Sequence, residues 1–202
     1  MPAHAPPLMR EHVRPTGGQD LSGSEILTER LALAPLGPAG VPRLFEYRSQ
    51  AEVAQYQTWV PQSIDDARHF IADFGPVAFD TPGRWSQLGI RLRDSGLLIG
   101  DLGVRCALDD PRQTEIGITL ATDYQSRGFG TEAVRGLLGH LLGALGKHRV
   151  FASVDPRNWS SRALLERVGM RQEAHFRKSL WFEGDWADDA VSAILASEWS
   201  SR

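Results

Sequence analysis

The stretch Tyr124–Val134 reads YQSRGFGTEAV. It stands between EIGITLA (Glu115–Ala121), whose alternation suits a strand, and VRGLLGHLLGAL (Val134–Leu145), whose apolar stripe suits a helix. Two glycines one residue apart, preceded by an arginine, have two physical readings at such a junction. One is a tight turn. The other is a phosphate cradle. The backbone N–H groups of Arg127, Gly128, Phe129, Gly130 and Thr131 would converge where a helix begins, and its unpaired donors and positive dipole end favour an anion. Glycine at 128 and 130 would let the backbone approach the ligand closely.

Upstream, WSQLGIRL, the turn RDSG and LLIGDLGVRCAL read as a hairpin, and DDPRQ leads into TEIGITLA as the third strand of a meander. Earlier still, TERLALAPL supplies an alternating strand through Leu31 and Leu33, and Pro38–Phe74 is helical in pieces. Its clearest helix follows Ser63, which with Asp66 makes a capping-box start; Gly75-Pro76 stops it. Downstream, RVFASV is a short buried strand, and NWSSRALLERVG is a helix with Asn158 as N-cap and Gly169 as its stop. MRQEAHFRKSLWF, the turn EGD and WADDAVSAILASEW form a last hairpin. Gly136, Gly139 and Gly143 weaken the helix after the glycine stretch by about 1 kcal/mol each relative to Ala, so packing must hold it. The order implies a mixed α/β domain with an antiparallel front half and a crossover in the back half. Residues 1–24, rich in Pro and Gly, are expected to be a flexible extension, and residues 25–202 one domain.

At 202 residues and 42% hydrophobic, the chain can bury one sizeable core. A net charge of −3 leaves no basic excess, which argues against nucleic-acid and membrane-surface partners. The single cysteine, Cys106, forms no internal disulfide, and its apolar neighbours suit a buried thiol. Six histidines without ligand spacing give no metal site. No apolar stretch is long enough to cross a bilayer and the N-terminus lacks the apolar centre of a signal peptide, so a cytoplasmic location is expected.

Three phosphate-binding designs compete for the glycine stretch. A Walker loop is excluded, because no Lys-Ser/Thr follows the glycines. GFGTEA fits the Rossmann pattern G-x-G-x-x-A, with Asp155 at a plausible distance for a ribose contact. Yet the polar segment Thr122–Arg127 intervenes, and the preceding strand belongs to a meander, which argues against it. The third design is Gln125-x-x-Gly128-x-Gly130, which resembles the acetyl-CoA pyrophosphate loop of the GNAT superfamily of N-acetyltransferases. TERLALAPL, LLIGDLGV, EIGITLA, NWSSRALLERVGM and EGDWADD are similar, in order, to segments of its ribosomal-protein (RimJ/RimL-type) branch, from about Leu27 to Trp199.

The resemblance implies a twisted, mostly antiparallel sheet of about seven strands, flanked by helices and split at the acetyl-CoA site. It implies acetyl-CoA as co-substrate, no metal, and an amine acceptor as partner, and it leaves a homodimer open. In that family the pantetheine arm pairs with the strand matching Glu115–Ala121, which puts Ile118, Thr119 and Leu120 beside the cofactor; an amide-bearing arm can complete a ladder only at an open strand edge. Gln125, Arg127, Gly128, Phe129, Gly130 and Thr131 would hold the pyrophosphate. Asn158 matches a pantetheine contact and is equally an N-cap. Glu115 matches the family's general base, or is a glutamate paired with an arginine of the neighbouring strand. Asp101 and Asp188 are weaker substitutes. Leu165 stands where many members carry a tyrosine acid; the branch carries a serine at Ser161, either a donor to the leaving thiolate or a helix cap.

Tyr56 and Trp59 are candidates for the acceptor pocket or anchors of the early helices, and Asp188 suits a cationic acceptor. A protein N-terminal α-amine, an aminoglycoside and a polyamine all remain open. The competing classes are a coenzyme binder without turnover, favoured if Glu115 is paired away from the sulfur, and a Rossmann-type nucleotide binder.

Overall fold

Leu31 and Leu33, two residues apart, are both fully buried, and this alternation builds the first long strand. The computed structural model describes residues 25–79, 81–182 and 184–200; the expected extension at residues 1–24 lies outside them. The strands are β1 (Ile26–Leu27), β2 (Leu31–Pro35), β3 (Trp85–Leu92), β4 (Leu98–Cys106), β5 (Gln113–Leu120), β6 (Arg149–Val154), β7 (Arg171–Phe182) and β8 (Asp185–Leu195). They form an eight-stranded sheet in the order β1-β2-β3-β4-β5-β6-β8-β7. Seven of these strands follow the strand-like runs of the sequence. The addition is β1, whose two residues are too few to show a period.

β2 to β5 are antiparallel neighbours, and the hairpins turn where the sequence places Gly96 (φ 70°) and Gly184 (φ 84°). β5 and β6 are parallel, and they pair only at Gln113–Arg149, Thr114–Val150 and Glu115–Phe151. Beyond Glu115 the two strands part. β6 then pairs along its whole length with β8, and β7 closes the far edge.

Helices α1 (Val41–Arg48), α2 (Ala51–Ala54) and α3 (Ile64–Phe74) follow β2. α3 has the expected capping box: Ser63 accepts from the Asp66 N–H, and Asp66 accepts from the Ser63 N–H. Leu44, Tyr47, Ala67 and Ile71 join Leu98 in a cluster of their own. The larger core joins the sheet to α4 (Phe129–Leu138) and α5 (Trp159–Arg167) through residues such as Leu88, Leu102, Val134, Leu137 and Leu165.

Two elements differ from the sequence pattern. The helix that reads as continuous to Leu145 leaves α-geometry at Gly139 and runs π-helically over Gly139–Ala144, where the Leu145 N–H reaches His140 O at 2.9 Å. The wider turn keeps both Leu141 and Leu142 in the core, and the glycines there weaken the α-form. The last strand ends at Leu195, where the N–H donates to Glu198 at 2.8 Å and starts the short helix α6 (Ala196–Trp199).

Candidate active site

β5 ends in a 3-10 turn, Thr122–Tyr124, and the chain enters α4 through Ser126 (φ 57°) and Gly128 (φ 83°). The left-handed backbone at Gly128 is the reason for that glycine. No side chain caps α4, so the N–H groups of Phe129, Gly130 and Thr131, which lack intrahelical acceptors, stay available to an outside anion. Gly130 also has a packing role. A Cβ there would lie 2.7 Å from Leu164 Cδ1 and 3.3 Å from Leu120 Cδ1, so its lack of a side chain lets α4 pack on α5 and β5.

The loop's side chains mostly hold the loop itself. Gln125 turns back and donates to Leu120 O at 3.0 Å. Arg127 folds over the Tyr124 and Phe129 rings and donates to Asp123 O at 3.3 Å. The Phe129 ring is in the core, and Thr131 accepts from Arg167 at 3.2 Å. The backbone N–H groups that begin α4 stay open to a ligand.

A cleft of about 860 Å³ opens where β5 and β6 part. One side is built by Ile118 and Thr119 of β5, Val154 of β6, and Asn158, Ser161 and Leu165 at the start of α5. Leu120 lies past this wall, toward the glycine loop, against the core. Asn158 is the N-cap of α5 and accepts from the Ser161 N–H at 3.0 Å, which leaves its amide NH₂ as a further donor. Ser161 is held by that cap at the cleft wall, and buried Leu165 gives an apolar neighbour in place of a hydroxyl.

The other end of the cleft has a floor that local sequence patterns do not reveal. Asp101, 1% exposed, accepts from Arg48 Nε at 3.0 Å and Nη2 at 2.5 Å, from Tyr47 Oη at 2.5 Å and from Gln87 Nε2 at 2.5 Å. Both its oxygens are occupied, which removes it as a substitute base. Burial, and after it the Asp101 charge, raises the Tyr47 phenol well above its ordinary pKa. Gln57 Oε1 links this floor to β5, 3.5 Å from Arg48 Nη1 and 3.3 Å from Thr119 Oγ1. The available signal for Arg48 was its position four residues after buried Leu44, on the apolar side of α1.

Glu115 lines the cleft and is paired with Arg105 directly across β4 and β5. The cross-strand ion pair left open in the sequence is therefore formed. Tyr56 and Trp59 line the cleft as well: Tyr56 Oη donates to Arg157 O at 3.4 Å, and Trp59 stacks on Phe70 at 4.2 Å above Arg48. Asp188 and Asp155 share the rim. The Lys178 N–H and then His175 hold the Asp188 carboxyl below the usual range, and hydrogen bonds from Arg157 do the same for Asp155. Among the described residues no His/Cys/Asp/Glu group could hold a metal ion, and no helix is long and apolar enough to cross a membrane.

An open parallel strand pair beside an uncapped helix start suits a ligand that carries both an anionic group and backbone-like amides. The chain belongs to the GNAT acetyltransferase family, whose domain model, "Acetyltransferase (GNAT) domain", matches residues 30–171. It is 28% identical over 179 residues to the uncharacterized N-acetyltransferase YnaD of Bacillus subtilis, spanning 87% of this chain and 99% of that one. A shorter match, 26% over 85 residues, covers 42% of this chain and 44% of the Escherichia coli [ribosomal protein uS5]-alanine N-acetyltransferase. A GNAT-family acetyltransferase from Bacillus anthracis has the same fold, with a TM-score of 0.79 at 24% identity over 87% of this chain and 100% of that one. So does Mycobacterium smegmatis RimJ, solved in complex with CoA-disulfide, with a TM-score of 0.70 at 24% identity over 83% of each chain. The chain is thus an acetyl-CoA-dependent N-acetyltransferase, and the Rossmann reading falls.

Proposed function

We propose that the chain moves the acetyl group of acetyl-CoA to a primary amine by direct attack in a ternary complex, with a protein N-terminal α-amine or a small-molecule amine as acceptor. The observation that carries this reading is the parting of β5 and β6 beside the uncapped start of α4. It offers a backbone edge to the pantetheine amides and N–H donors to the diphosphate within reach of one cleft. Acetyl-CoA supplies the acetyl group activated as a thioester. The chain's own residues bind, orient and move protons.

Ile118, Thr119 and Leu120 present the strand edge, and the Asn158 amide donates to the arm. Ser161, at the first turn of α5, donates a hydrogen bond to the sulfur as it leaves. Glu115 removes the acceptor's proton, directly or through water. Its Arg105 partner, directly across the strand pair, fixes the orientation of the carboxylate. An α-amine, with a pKa near ~8, needs less help than a lysine-type amine near ~10.4. That supports a peptide α-amine or a weakly basic small amine. Tyr56, Trp59 and Asp188 form the acceptor's walls, with Asp188 favouring a cation.

Thiol release from acetyl-CoA, measured against peptide, aminoglycoside and polyamine acceptors, tests the reading. Turnover is expected to be fastest with α-amines. Release no faster than buffer hydrolysis with every acceptor would overturn it.

A further inference from the structure

Arg30 lies in the turn between β1 and β2, 97 residues before Arg127 and outside the glycine loop. The fold brings it onto the start of α4. Its Nε donates to Glu132 Oε2 at 2.6 Å, and its backbone N–H donates to Glu132 Oε1 at 2.7 Å. Its Nη1 donates to Arg127 O at 3.3 Å, and its guanidinium carbon lies 4.3 Å from the centroid of the Phe129 ring. A Cβ built on Gly128 would come within 3.4 Å of its Nη2. One side chain therefore touches the loop at Arg127 and Phe129, lies beside Gly128, and holds the first turn of α4 at Glu132. Thr28 completes the clamp by donating to Glu132 Oε1 at 2.6 Å.

Glu132 makes the arrangement informative. A carboxylate in the first turn of a helix is favoured by the helix dipole, but it repels an anion bound at the same place. Its side chain is only 15% exposed, so water screens it poorly. Burial pushes its pKa up, yet the hydrogen bonds from Thr28 and from Arg30 together bring it below the ordinary value, so it stays charged. Arg30 is the cation that faces it. The Arg30 side chain is 43% exposed, and its five N–H donors exceed the two bonds its Nε and Nη1 make here, which leaves donors for a ligand at the loop.

We propose that Arg30 is a positioning residue for acetyl-CoA: it locks the glycine loop with its donors outward and cancels the Glu132 charge beside the diphosphate. The proposal rests on the assignment of that loop to the diphosphate. It gives the TERL segment, which otherwise only opens a strand, a role at the cofactor.

Calorimetric titration with CoA and with dephospho-CoA tests it on the full chain, in the wild type, Arg30→Gln, Glu132→Gln and the double variant. Arg30→Gln is expected to weaken both ligands at least tenfold and by the same factor, since both carry the diphosphate. The double variant is expected to regain at least threefold of that loss, because the unopposed carboxylate is gone. Glu132→Gln alone, which keeps the arginine, is expected to bind CoA within twofold of wild type or more tightly, and it stands as the test should Arg30→Gln fail to fold. Arg30→Gln binding within twofold of wild type, a double variant no better than the single one, or a tenfold loss from Glu132→Gln would each overturn the proposal. A loss confined to CoA would also overturn it, by assigning Arg30 to the 3′-phosphate. A wild-type chain that binds neither ligand would instead remove the loop assignment beneath it.

Discussion

Arg48 and Asp101, 53 residues apart, meet in a buried two-point ion pair that ties α1 to β4 at the floor of the cleft. Breaking such a pair leaves one charge buried without its partner, which costs about 3–5 kcal/mol. Asp101→Asn is therefore expected to lower stability by about that amount in a denaturant titration, with a fall in Tm of about 10 °C. A change of under ~1 kcal/mol would show that the floor is not held by this charge.

Tyr47 shares that floor, and burial followed by the Asp101 charge raises its phenol well above the unfolded value of 10.0. A raised folded pKa stabilises the fold fully below the unfolded pKa, and that contribution is lost as pH rises toward the folded one. Stability measured by denaturant is expected to decline as the pH is taken above about 10, and more weakly so in Tyr47→Phe. Identical alkaline profiles for the two proteins would contradict this.

How far the sequence reveals these features depends on whether the interactions are local. β2 is legible because sheet burial imprints a period of two on Leu31 and Leu33, and the start of α3 because Ser63 and Asp66 lie three residues apart. The loop into α4 is legible from Gly128, which the backbone needs at φ 83°. The Glu115–Arg105 pair could be anticipated only as an alternative, since register decides which arginine stands opposite. The floor is another matter. Tyr47, Arg48, Gln87 and Asp101 come from α1, β3 and β4, and no spacing along the chain announces their meeting. Arg30 and Glu132 escape sequence reading for the same reason.

The left-handed conformation at Gly128 makes a β-branched residue there costly by about 1–2 kcal/mol in backbone strain, and its Cβ would also press toward Arg30. Gly128→Val is expected to weaken CoA binding at least tenfold in calorimetry. Unchanged affinity would remove the loop from its role.

Glu115→Gln keeps the shape and removes the proton acceptor. The loss in kcat/KM is expected to be about 10²-fold at low pH and to shrink as pH rises through the acceptor amine's own pKa, near ~8 for an α-amine. Asp155 and Asp188, both held below the usual carboxylate range, contribute no rising limb near neutrality. A wild-type rate at every pH would clear Glu115 of the base role.

The most direct measurement is a crystal structure with CoA bound. The diphosphate is expected within hydrogen-bonding distance of the N–H groups that begin α4, with the pantetheine arm running along β5 beyond Glu115 and the sulfur pointing toward Ser161. Coenzyme density elsewhere on the chain, with that helix start free of ligand, would contradict the assignment.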